Sequence, residues 1–269
     1  MIKKFLICFS FCFLFVSSSF ANSDFSQLLS GTRTIRGTAL GDAIVACPQG
    51  VDAIFYNPSG IYAQKFSYSN ESLDTHKTEF VLNHQTAFNI GKFGYGWERK
   101  HNQNIWAQIQ SFSLGVATKK KLWWGITYKQ INYQLDNTAT NKGYSFDFGI
   151  LNPLSRNLSL GLMIRDIFKD EVPLHTSIIT GLALKFNQEQ GLIALDCEYF
   201  RYRKALNLRC GFEYQLDESL VLRTGYAKEF WRAGAVLVFP FAKLEYALMT
   251  SMEETDTETK HQIGVYLGK

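Results

Sequence analysis

The chain of 269 residues carries a formal net charge of only +4, with basic and acidic residues interspersed, which excludes an extended nucleic-acid-binding surface. Beyond residue 21 it keeps Cys47, Cys197 and Cys210, and an odd number without short spacing excludes a disulfide framework and a zinc site. Aromatic residues make up 15% of the chain, a high share that would suit the interfacial girdles of a membrane barrel.

The first residues predict export from the cytoplasm. Lys3 and Lys4 are followed by an apolar run over residues 5–16 and by small residues up to Ala21. This order is typical of a secretory signal peptide cleaved after Ala21. The run is too short for a transmembrane helix, which needs about 20 apolar residues. We therefore predict a signal peptide over residues 1–21.

The next segment, residues 22–63, shows no sustained alternation of apolar and polar residues. Asp52 is placed to cap a short helical turn, and Asn57-Pro58 would end that turn because a residue before proline avoids the helical region. Gly60 would allow the chain to reverse into the first strand. The segment is too small to be a domain, so we expect it to fold into the lumen of a larger structure as a hatch.

From about residue 64 onward, strand patterns follow one another with short breaks that contain Asn, Asp, Gly or Pro. Their average length is near the 9–11 residues of a tilted transmembrane strand, and an even number suits a bacterial barrel. The patterns before residue 104 are weak, which leaves twelve strands as an alternative to fourteen. The fourteen predicted strands are 64–71, 77–85, 88–98, 104–117, 121–133, 142–151, 156–166, 176–187, 191–200, 204–216, 218–226, 229–239, 241–250 and 258–267.

The alternation leaves the direction of the faces open. In residues 191–200, for example, Ile193 and Leu195 alternate with Asp196 and other polar residues. A soluble sandwich would bury the apolar set, whereas a membrane barrel would turn it outward to lipid. The signal peptide and the length and number of strands favour the barrel. We predict an all-β fold, an antiparallel transmembrane β-barrel of about fourteen strands over residues 64–269.

The polar faces of the predicted strands carry charges of both signs, which would point into the barrel. A charge facing a narrow lumen must be paired or hydrated. Mixed signs favour an ion-pair network that holds the hatch, and the alternative is a filter that lines a solute path. The predicted lumen charges are Asp147, Arg165, Asp196, Glu198, Arg209, Glu213, Arg223 and Arg232.

Two stretches of the N-terminal segment carry a family resemblance. Residues 39–43 (Ala-Leu-Gly-Asp-Ala) and 56–61 (Tyr-Asn-Pro-Ser-Gly-Ile) resemble the N-terminus of the fatty-acid-transporter-like outer-membrane barrels. That superfamily includes hydrocarbon-uptake channels and the PorV/PorQ-type proteins of the type IX secretion system. The predicted hairpin of residues 146–151 and 158–166 is similar to a hairpin of the same family. In this chain, Asp42 replaces the second glycine of the first family motif.

The resemblance implies a fourteen-stranded barrel in the bacterial outer membrane with the N-terminal segment inside it as a hatch. It further implies a passive channel for small hydrophobic compounds such as fatty acids or hydrocarbons, in contact with outer-membrane lipid. The alternative it implies is a non-conducting PorV-type scaffold that binds a secretion-system partner. The residues expected to gate the hatch are Gly41, Asp52, Asn57, Pro58 and Gly60.

The sequence shows no nucleophile motif, phosphate-binding loop or metal-ligand spacing. We therefore predict that the protein is not an enzyme and uses no metal or cofactor. A soluble periplasmic β protein remains a third hypothesis, because its strands would show the same alternation.

Overall fold

The computed structural model describes residues 34–63, 66–75, 80–101, 105–118, 122–135, 139–202, 204–227, 230–251 and 259–268. The predicted signal peptide (1–21) and residues 22–33 of the predicted hatch lie outside the described residues and stay predictions. Residues 34–63 are called the luminal segment below.

The luminal segment contains three short helices, and the rest of the described chain is almost entirely strand. The helices are α1 (Ile35–Ala39), α2 (Asp52–Tyr56) and a 3-10 helix (Pro58–Ala63). The strands are β1 (Phe66–Thr75), β2 (Phe80–Ile90), β3 (Phe93–His101), β4 (Ile105–Ala117), β5 (Trp123–Leu135), β6 (Asn141–Pro153), β7 (Leu158–Arg165), β8 (Lys169–Asp170), β9 (Ser177–Phe186), β10 (Gly191–Phe200), β11 (Ala205–Gln215), β12 (Leu220–Ala227), β13 (Phe230–Val238), β14 (Ala242–Ser251) and β15 (Thr259–Gly268). Among the described residues, none of the helices has the length and apolar character to cross a membrane.

Fourteen of these strands form one closed antiparallel barrel. Each pairs with its neighbours along the chain, β7 pairs with β9, and β1 pairs with β15 to close the ring. The two-residue strand β8 pairs only with β6, so it extends the wall but is not one of the fourteen strands of the ring. The predicted all-β, fourteen-stranded antiparallel barrel is confirmed.

Strand boundaries agree with the sequence pattern within a few residues except near the start. A break was predicted between residues 85 and 88, but β2 continues through this region to Ile90. The turn follows at Gly91, whose φ of 58° belongs to the left-handed region that glycine adopts without steric cost. The turn predicted at Asn152-Pro153 is also displaced, because Pro153 still pairs with Ser159.

The polar face of the wall points inward and the apolar face points outward. On β10, Asp196 and Glu198 are only 2% and 1% exposed, whereas the neighbouring Ile193 and Tyr199 are 40% and 38% exposed. Strand β6 shows the same alternation of inward polar and outward apolar residues, and its Asp147 is fully buried. This arrangement is the reverse of a soluble sandwich and is typical of a transmembrane barrel.

A belt of aromatic rings crosses the outer surface of five consecutive strands. Its members are direct cross-strand partners, with ring centroids 5.2–6.4 Å apart. They border an outward-facing apolar depression of about 660 Å³. Such a belt suits the interface between lipid and water. The rings belong to Phe88, Tyr95, Phe112, Tyr128 and Phe146.

The two ends of the barrel differ. The turn end carries short connections that include residues 91–92, 154–157, 187–190, 216–219 and 239–241, and it also holds the first residue of β1 and the last of β15. The loop end carries the opposite set of connections, among them residues 166–176 between β7 and β9.

The luminal segment packs against the inner wall through an apolar cluster and a set of inward glycines. A Cβ atom at Gly125 would lie 2.4 Å from the carbonyl carbon of Pro58, and one at Gly149 would lie 2.0 Å from Asn57 Oδ1. The wall therefore lacks side chains where the segment touches it most closely. The cluster consists of Leu40, Ile44, Val51, Ala53, Ile54, Phe55, Tyr56 and Ile61 of the segment together with Ala87 of the wall.

Candidate functional site

The contact between the luminal segment and the wall is the candidate site, and Arg36 of α1 is its most connected charge. Its guanidinium group lies 3.0 Å from Glu213 Oε2 and 3.3 Å from Asp52 Oδ2, and it donates a 3.0 Å hydrogen bond to the carbonyl of Cys47. Arg36 is 4% exposed. Arg36 therefore connects helices α1 and α2 of the luminal segment to β11.

The wall extends this network from β11 through β12 to β14. Arg223 on β12 lies 2.7 Å from Glu213 and 3.3 Å from Glu245 on β14. Each carboxylate thus faces a guanidinium group. Charges that face a narrow lumen are costly unless they are paired, so the pairing predicted from mixed signs is present here.

Asp42 forms a second attachment point. Its carboxylate accepts a 2.6 Å hydrogen bond from Arg232 Nη1 on β13 and another of 2.6 Å from the hydroxyl group of Tyr56. Burial alone would raise the pKa of Asp42, but the positive charges of Arg232 and Arg209 and these two hydrogen bonds outweigh it and hold the pKa below its usual value. The segment is therefore fixed to β13 by an ionised carboxylate.

The backbone explains why an aspartate can stand where the family motif has glycine. Asp42 has φ 59° and the preceding Gly41 has φ 65°, both in the left-handed region. Aspartate is among the few residues other than glycine that adopt this region at modest cost. Gly41 has a further constraint, because a Cβ there would lie 2.7 Å from backbone atoms of Cys210 and Tyr226.

Strands β7, β10 and β11 hold a third group of charges, joined by a serine of β9. Glu198 lies between Arg209, to which it is hydrogen-bonded, and Arg165 at 3.7 Å, and it accepts a 2.8 Å hydrogen bond from Ser177 Oγ. The neighbouring Asp196 accepts a 3.0 Å hydrogen bond from the backbone amide of Val45 in the luminal segment. The third group therefore also holds the segment.

A fourth group lies on β5 and β6. Lys129 Nζ is 2.7 Å from Asp147 and 2.6 Å from Asp166, and Ser145 Oγ donates to Asp166 at 2.5 Å. The amide of Asp166 donates to Asp147 at 2.9 Å. This group joins the wall to the point where β7 ends.

Asn57 joins the luminal segment to two wall strands. Its side-chain amide donates to the carbonyl groups of Val45 at 2.8 Å and Ile150 at 3.1 Å, while its Oδ1 accepts from the hydroxyl group of Ser59 at 2.6 Å. Its backbone is extended between α2 and the 3-10 helix, as predicted for a residue before proline. The carbonyl oxygen of Pro58 lies against the inward face of Gly115.

Two local predictions for the segment are wrong. Asp52 is the first residue of α2 and makes no capping hydrogen bond, because its carboxylate faces Arg36 and the cap position belongs to Val51. Gly60 lies inside the 3-10 helix and not in a reversal. Its small size matters instead, since a Cβ there would lie 2.5 Å from the ring of Pro48.

All eight predicted lumen charges lie on inward faces, and seven of them are buried, with Glu213 half-buried. Sequence reasoning missed several of their partners. The alternation of inward and outward residues could have identified two of these partners. Lys129 shares a strand face with the buried Thr127, and Glu245 shares one with the buried Ala247, so both face the lumen. The missed residues are Arg36, Asp42, Lys129, Asp166 and Glu245.

Within the described residues, no three His, Cys, Asp or Glu side chains come together in a group that could hold a metal ion. Cys47, Cys197 and Cys210, all among the described residues, form no disulfide. Cys197 and Cys210 face outward on paired strands, but each is directly opposite a leucine.

A closed barrel with charges inside, apolar residues outside and an N-terminal segment bound in its lumen defines the class of plugged outer-membrane barrels. The structure matches the toluene transporter TbuX of Ralstonia pickettii with a TM-score of 0.67 at 13% identity, covering 89% of this chain and 99% of that chain. It matches the monoaromatic hydrocarbon channel CymD with a TM-score of 0.66 at 11% identity, covering 87% and 97%.

A third similar structure is a Pseudomonas aeruginosa FadL homologue, with a TM-score of 0.65, 9% identity and coverage of 88% of this chain and 98% of that chain. No protein-family model matches the sequence, and no curated protein is significantly similar to it. The chain therefore has the fold of the fatty-acid-transporter-like barrels, as the resemblance in its N-terminal segment implied, at identities that show the fold alone.

Proposed function

We propose that this protein is a passive channel in the bacterial outer membrane for small hydrophobic compounds such as fatty acids or hydrocarbons. The observation that carries the proposal is the similarity of the structure, over 89% and 87% of the chain, to a solved toluene transporter and a monoaromatic hydrocarbon channel. The apolar outer face fits contact with outer-membrane lipid. Residues 1–21 would direct export and then be removed.

In this proposal the luminal segment is the hatch, and the structure represents its closed state. The apolar cluster around Ile54 and Phe55 lies between the hatch and the wall. A hydrophobic ligand would compete for this apolar surface, the hatch would shift, and a lateral or periplasmic opening would release the ligand. Gly41, Asn57 and Gly60 would gate this movement because their contacts fix the backbone of the hatch.

The orientation of the barrel follows from its two ends. Bacterial barrels place short turns in the periplasm and longer loops outside the cell. The turn end, with both termini of the barrel, would therefore face the periplasm. The connection of residues 166–176 would lie on the outer side.

The proposal is tested by fixing the hatch to the wall. Thr38 Oγ1 lies 2.6 Å from Gln262 Oε1 on β15, so Thr38→Cys/Gln262→Cys places two thiols within reach of a short bifunctional thiol reagent. The background replaces Cys47, Cys197 and Cys210 by alanine. Cells that lack other hydrocarbon channels should take up labelled toluene or palmitate faster with this variant than without it. Crosslinking should abolish the difference.

The controls are the two single-cysteine variants treated with the same reagent, which should keep full uptake. Toluene and palmitate uptake equal to that of cells without the protein, at normal levels of folded barrel, would refute the channel. Uptake that survives complete crosslinking would refute the gating role of the hatch and leave the channel standing.

A non-conducting scaffold is the second candidate, and the ion-pair network favours it. The hatch is held by Arg36, Asp42 and the backbone of Val45, and a lumen filled by paired charges suits a fixed plug. The scaffold predicts that neither toluene nor palmitate uptake exceeds the background. It also predicts that a secretion-system component is crosslinked to the loop end in cells.

A further inference from the structure

The connection between β7 and β9 pairs with β6 through β8 and then places Val172 and Leu174 inside the barrel at the loop end. Strand alternation stops at its first residue, since Arg165 and Asp166 are consecutive and both buried. Asp166 has φ 54°, and its carboxylate is held by Lys129 and Ser145. A left-handed aspartate with two luminal partners therefore fixes the point where β7 ends.

Two aliphatic side chains of the connection, Val172 and Leu174, reach the inner surface of the barrel. They are 8% and 4% exposed, and they belong to one apolar cluster with wall residues of β4 and β5. Gly143 of β6 leaves room beside them, because a Cβ there would lie 2.2 Å from Val172 Cγ2. The wall residues of the cluster are Ala107, Ile109, Ile131 and Tyr133.

This apolar wall surface differs from the rest of the inner face at the same level. On β3 and β10 the inward side chains there include Lys100 and Glu198. Two isoleucines on the inside of a hydrated barrel end would be costly if they faced water. Val172 and Leu174 remove that cost by covering them. The chain thus supplies an apolar occupant for an apolar luminal site.

Residues 167–170 are bound to the wall by backbone hydrogen bonds to β6, whereas Val172 and Leu174 lie beyond this pairing. The hydroxyl group of Tyr133 donates to the carbonyl of Glu171 at 2.7 Å, Lys169 Nζ donates to the carbonyl of Leu174, and Thr176 Oγ1 donates to the carbonyl of Asp166 at 2.8 Å. The adjoining Phe168 is 70% exposed. The short stretch that carries the two aliphatic side chains can be displaced while β8 stays paired, unlike the hatch with its four charge groups.

We propose that this surface is a binding site for a small apolar molecule, and that Val172 and Leu174 occupy it until the ligand displaces them. The site takes a monoaromatic or short aliphatic compound, because it is filled by the volume of two aliphatic side chains and is apolar except for the phenol of Tyr133. The inference rests on the proposed channel function, for which it supplies the first ligand contact on the outer side.

Thiol labelling of Leu174→Cys tests the site without relying on transport. The mature chain, with its three native cysteines replaced by alanine, is placed in lipid nanodiscs and exposed to a charged maleimide. Labelling should be slow without ligand and rise about tenfold when toluene is present at about ten times its dissociation constant from the open site. Sucrose at the same concentration should change nothing. A labelling rate that toluene leaves unchanged or lowers would overturn the proposal.

A second variant set releases the connection. Tyr133→Phe/Lys169→Met removes the hydrogen bonds to the carbonyls of Glu171 and Leu174 while keeping the volume of both side chains, and ligand-free labelling of Leu174→Cys should then rise about tenfold. The matched control is Tyr214→Phe/Lys185→Met, which removes hydrogen bonds to Asn187 and Glu189 at the exposed turn end. The control should label at the original rate.

Toluene uptake separates failure of this inference from failure of the channel. The released variant should take up toluene severalfold faster than wild type at low toluene concentration, because its site is no longer occupied by the chain itself. Wild-type uptake above background, together with unchanged labelling and no effect of release, would overturn the luminal site alone. Uptake at background, together with toluene-dependent labelling, would overturn the channel and keep the site.

Discussion

Asn57 is fully buried and links the luminal segment to β6 and β7, so its removal should loosen the segment. Asn57→Ala leaves the carbonyl of Val45 and the hydroxyl group of Ser59 without their amide partner. We expect the free energy for releasing the segment from the wall to fall by about 1–3 kcal/mol, the usual cost of a buried unsatisfied polar group. Amide hydrogen exchange of residues 43–60 measures it.

The control for this prediction is Asn141→Ala, since Asn141 donates to Ala139 in an exposed part of β6. It should leave hydrogen exchange in the luminal segment unchanged. Equal protection of the segment in Asn57→Ala and wild type would show that the buried amide does not hold it.

Substitutions at Asp42 can separate the effect of its charge on stability from the effect of its backbone conformation. Asp42→Gly keeps the left-handed backbone but leaves Arg232 buried without its partner, which should cost about 3–5 kcal/mol. Asp42→Ala should cost roughly 1 kcal/mol more, because alanine is strained at φ 59°. The double variant Asp42→Gly/Arg232→Met should recover part of the loss. Thermal unfolding followed by gel mobility gives all three values.

The order of these variants is the decisive result. Asp42→Ala no less stable than Asp42→Gly would contradict the backbone argument. A double variant no more stable than Asp42→Gly would contradict the ion pair.

Acid should weaken the same attachment. The pKa of Asp42 is lowered in the folded protein, so its contribution to stability is fully present above the ordinary aspartate pKa of about 3.9 and is lost as pH falls through the lower folded pKa. Asp42→Asn lacks this contribution at every pH. We expect the difference in thermal midpoint between wild type and Asp42→Asn to be constant above about pH 5 and to shrink below about pH 4. A difference that grows in acid would contradict the assigned sign.

At the level of single residues, the sequence predicted which charges face inward but not which of them meet. Strand phase put Asp196 and Glu198 on one face, and the barrel interpretation made that face the inner one, where both are buried. The partners Arg36 and Asp42 lie in a segment without periodicity, so no phase argument applied to them. The local sequence pattern assigned Asp52 to a helix cap, but its carboxylate forms an ion pair with Arg36 of α1 instead.

At the level of elements, glycine positions of the wall set how closely the 3-10 helix can approach. Gly125→Ala would place a methyl group 2.4 Å from Pro58, so the helix must move away from β5. We expect faster hydrogen exchange in residues 56–63 with the barrel still folded. Gly91→Asn is the control, because nothing lies within 4 Å of its Cβ and asparagine tolerates its positive φ. Unchanged exchange in Gly125→Ala would mean that the helix does not rest on this strand.

The connection after β7 shows where element prediction ends. Strands were correctly predicted on both sides of residues 166–176, and the turn chemistry of this stretch resembled that of any exposed loop. Its inward course depends on Asp166 meeting Lys129 and on Val172 meeting β4 and β5. These contacts join residues far apart along the chain, and the local pattern of a single sequence does not show which distant residues meet.

At the level of the whole molecule, the outward apolar face can be tested by one charge. Ile126 faces outward on β5 and is 38% exposed. In a membrane, Ile126→Lys should destabilise the barrel by about 2–4 kcal/mol if it lies near mid-bilayer. In a soluble protein the same surface change would be nearly neutral. Leu216→Lys, in an exposed turn, is the control.

Unfolding of the barrel in lipid vesicles, compared between the two variants, decides between these environments. A cost for Ile126→Lys no larger than that for Leu216→Lys would contradict lipid contact at Ile126.

The attachment of the luminal segment to both halves of the barrel has a consequence for assembly. The segment touches β3 to β6 through its 3-10 helix and β12 to β15 through α1. The ring closes only where β1 meets β15, a pairing of residues nearly two hundred positions apart, and long-range pairing is slow. Because the segment binds strands on both sides of this junction, its docking can hold the first and last strands close together before they pair.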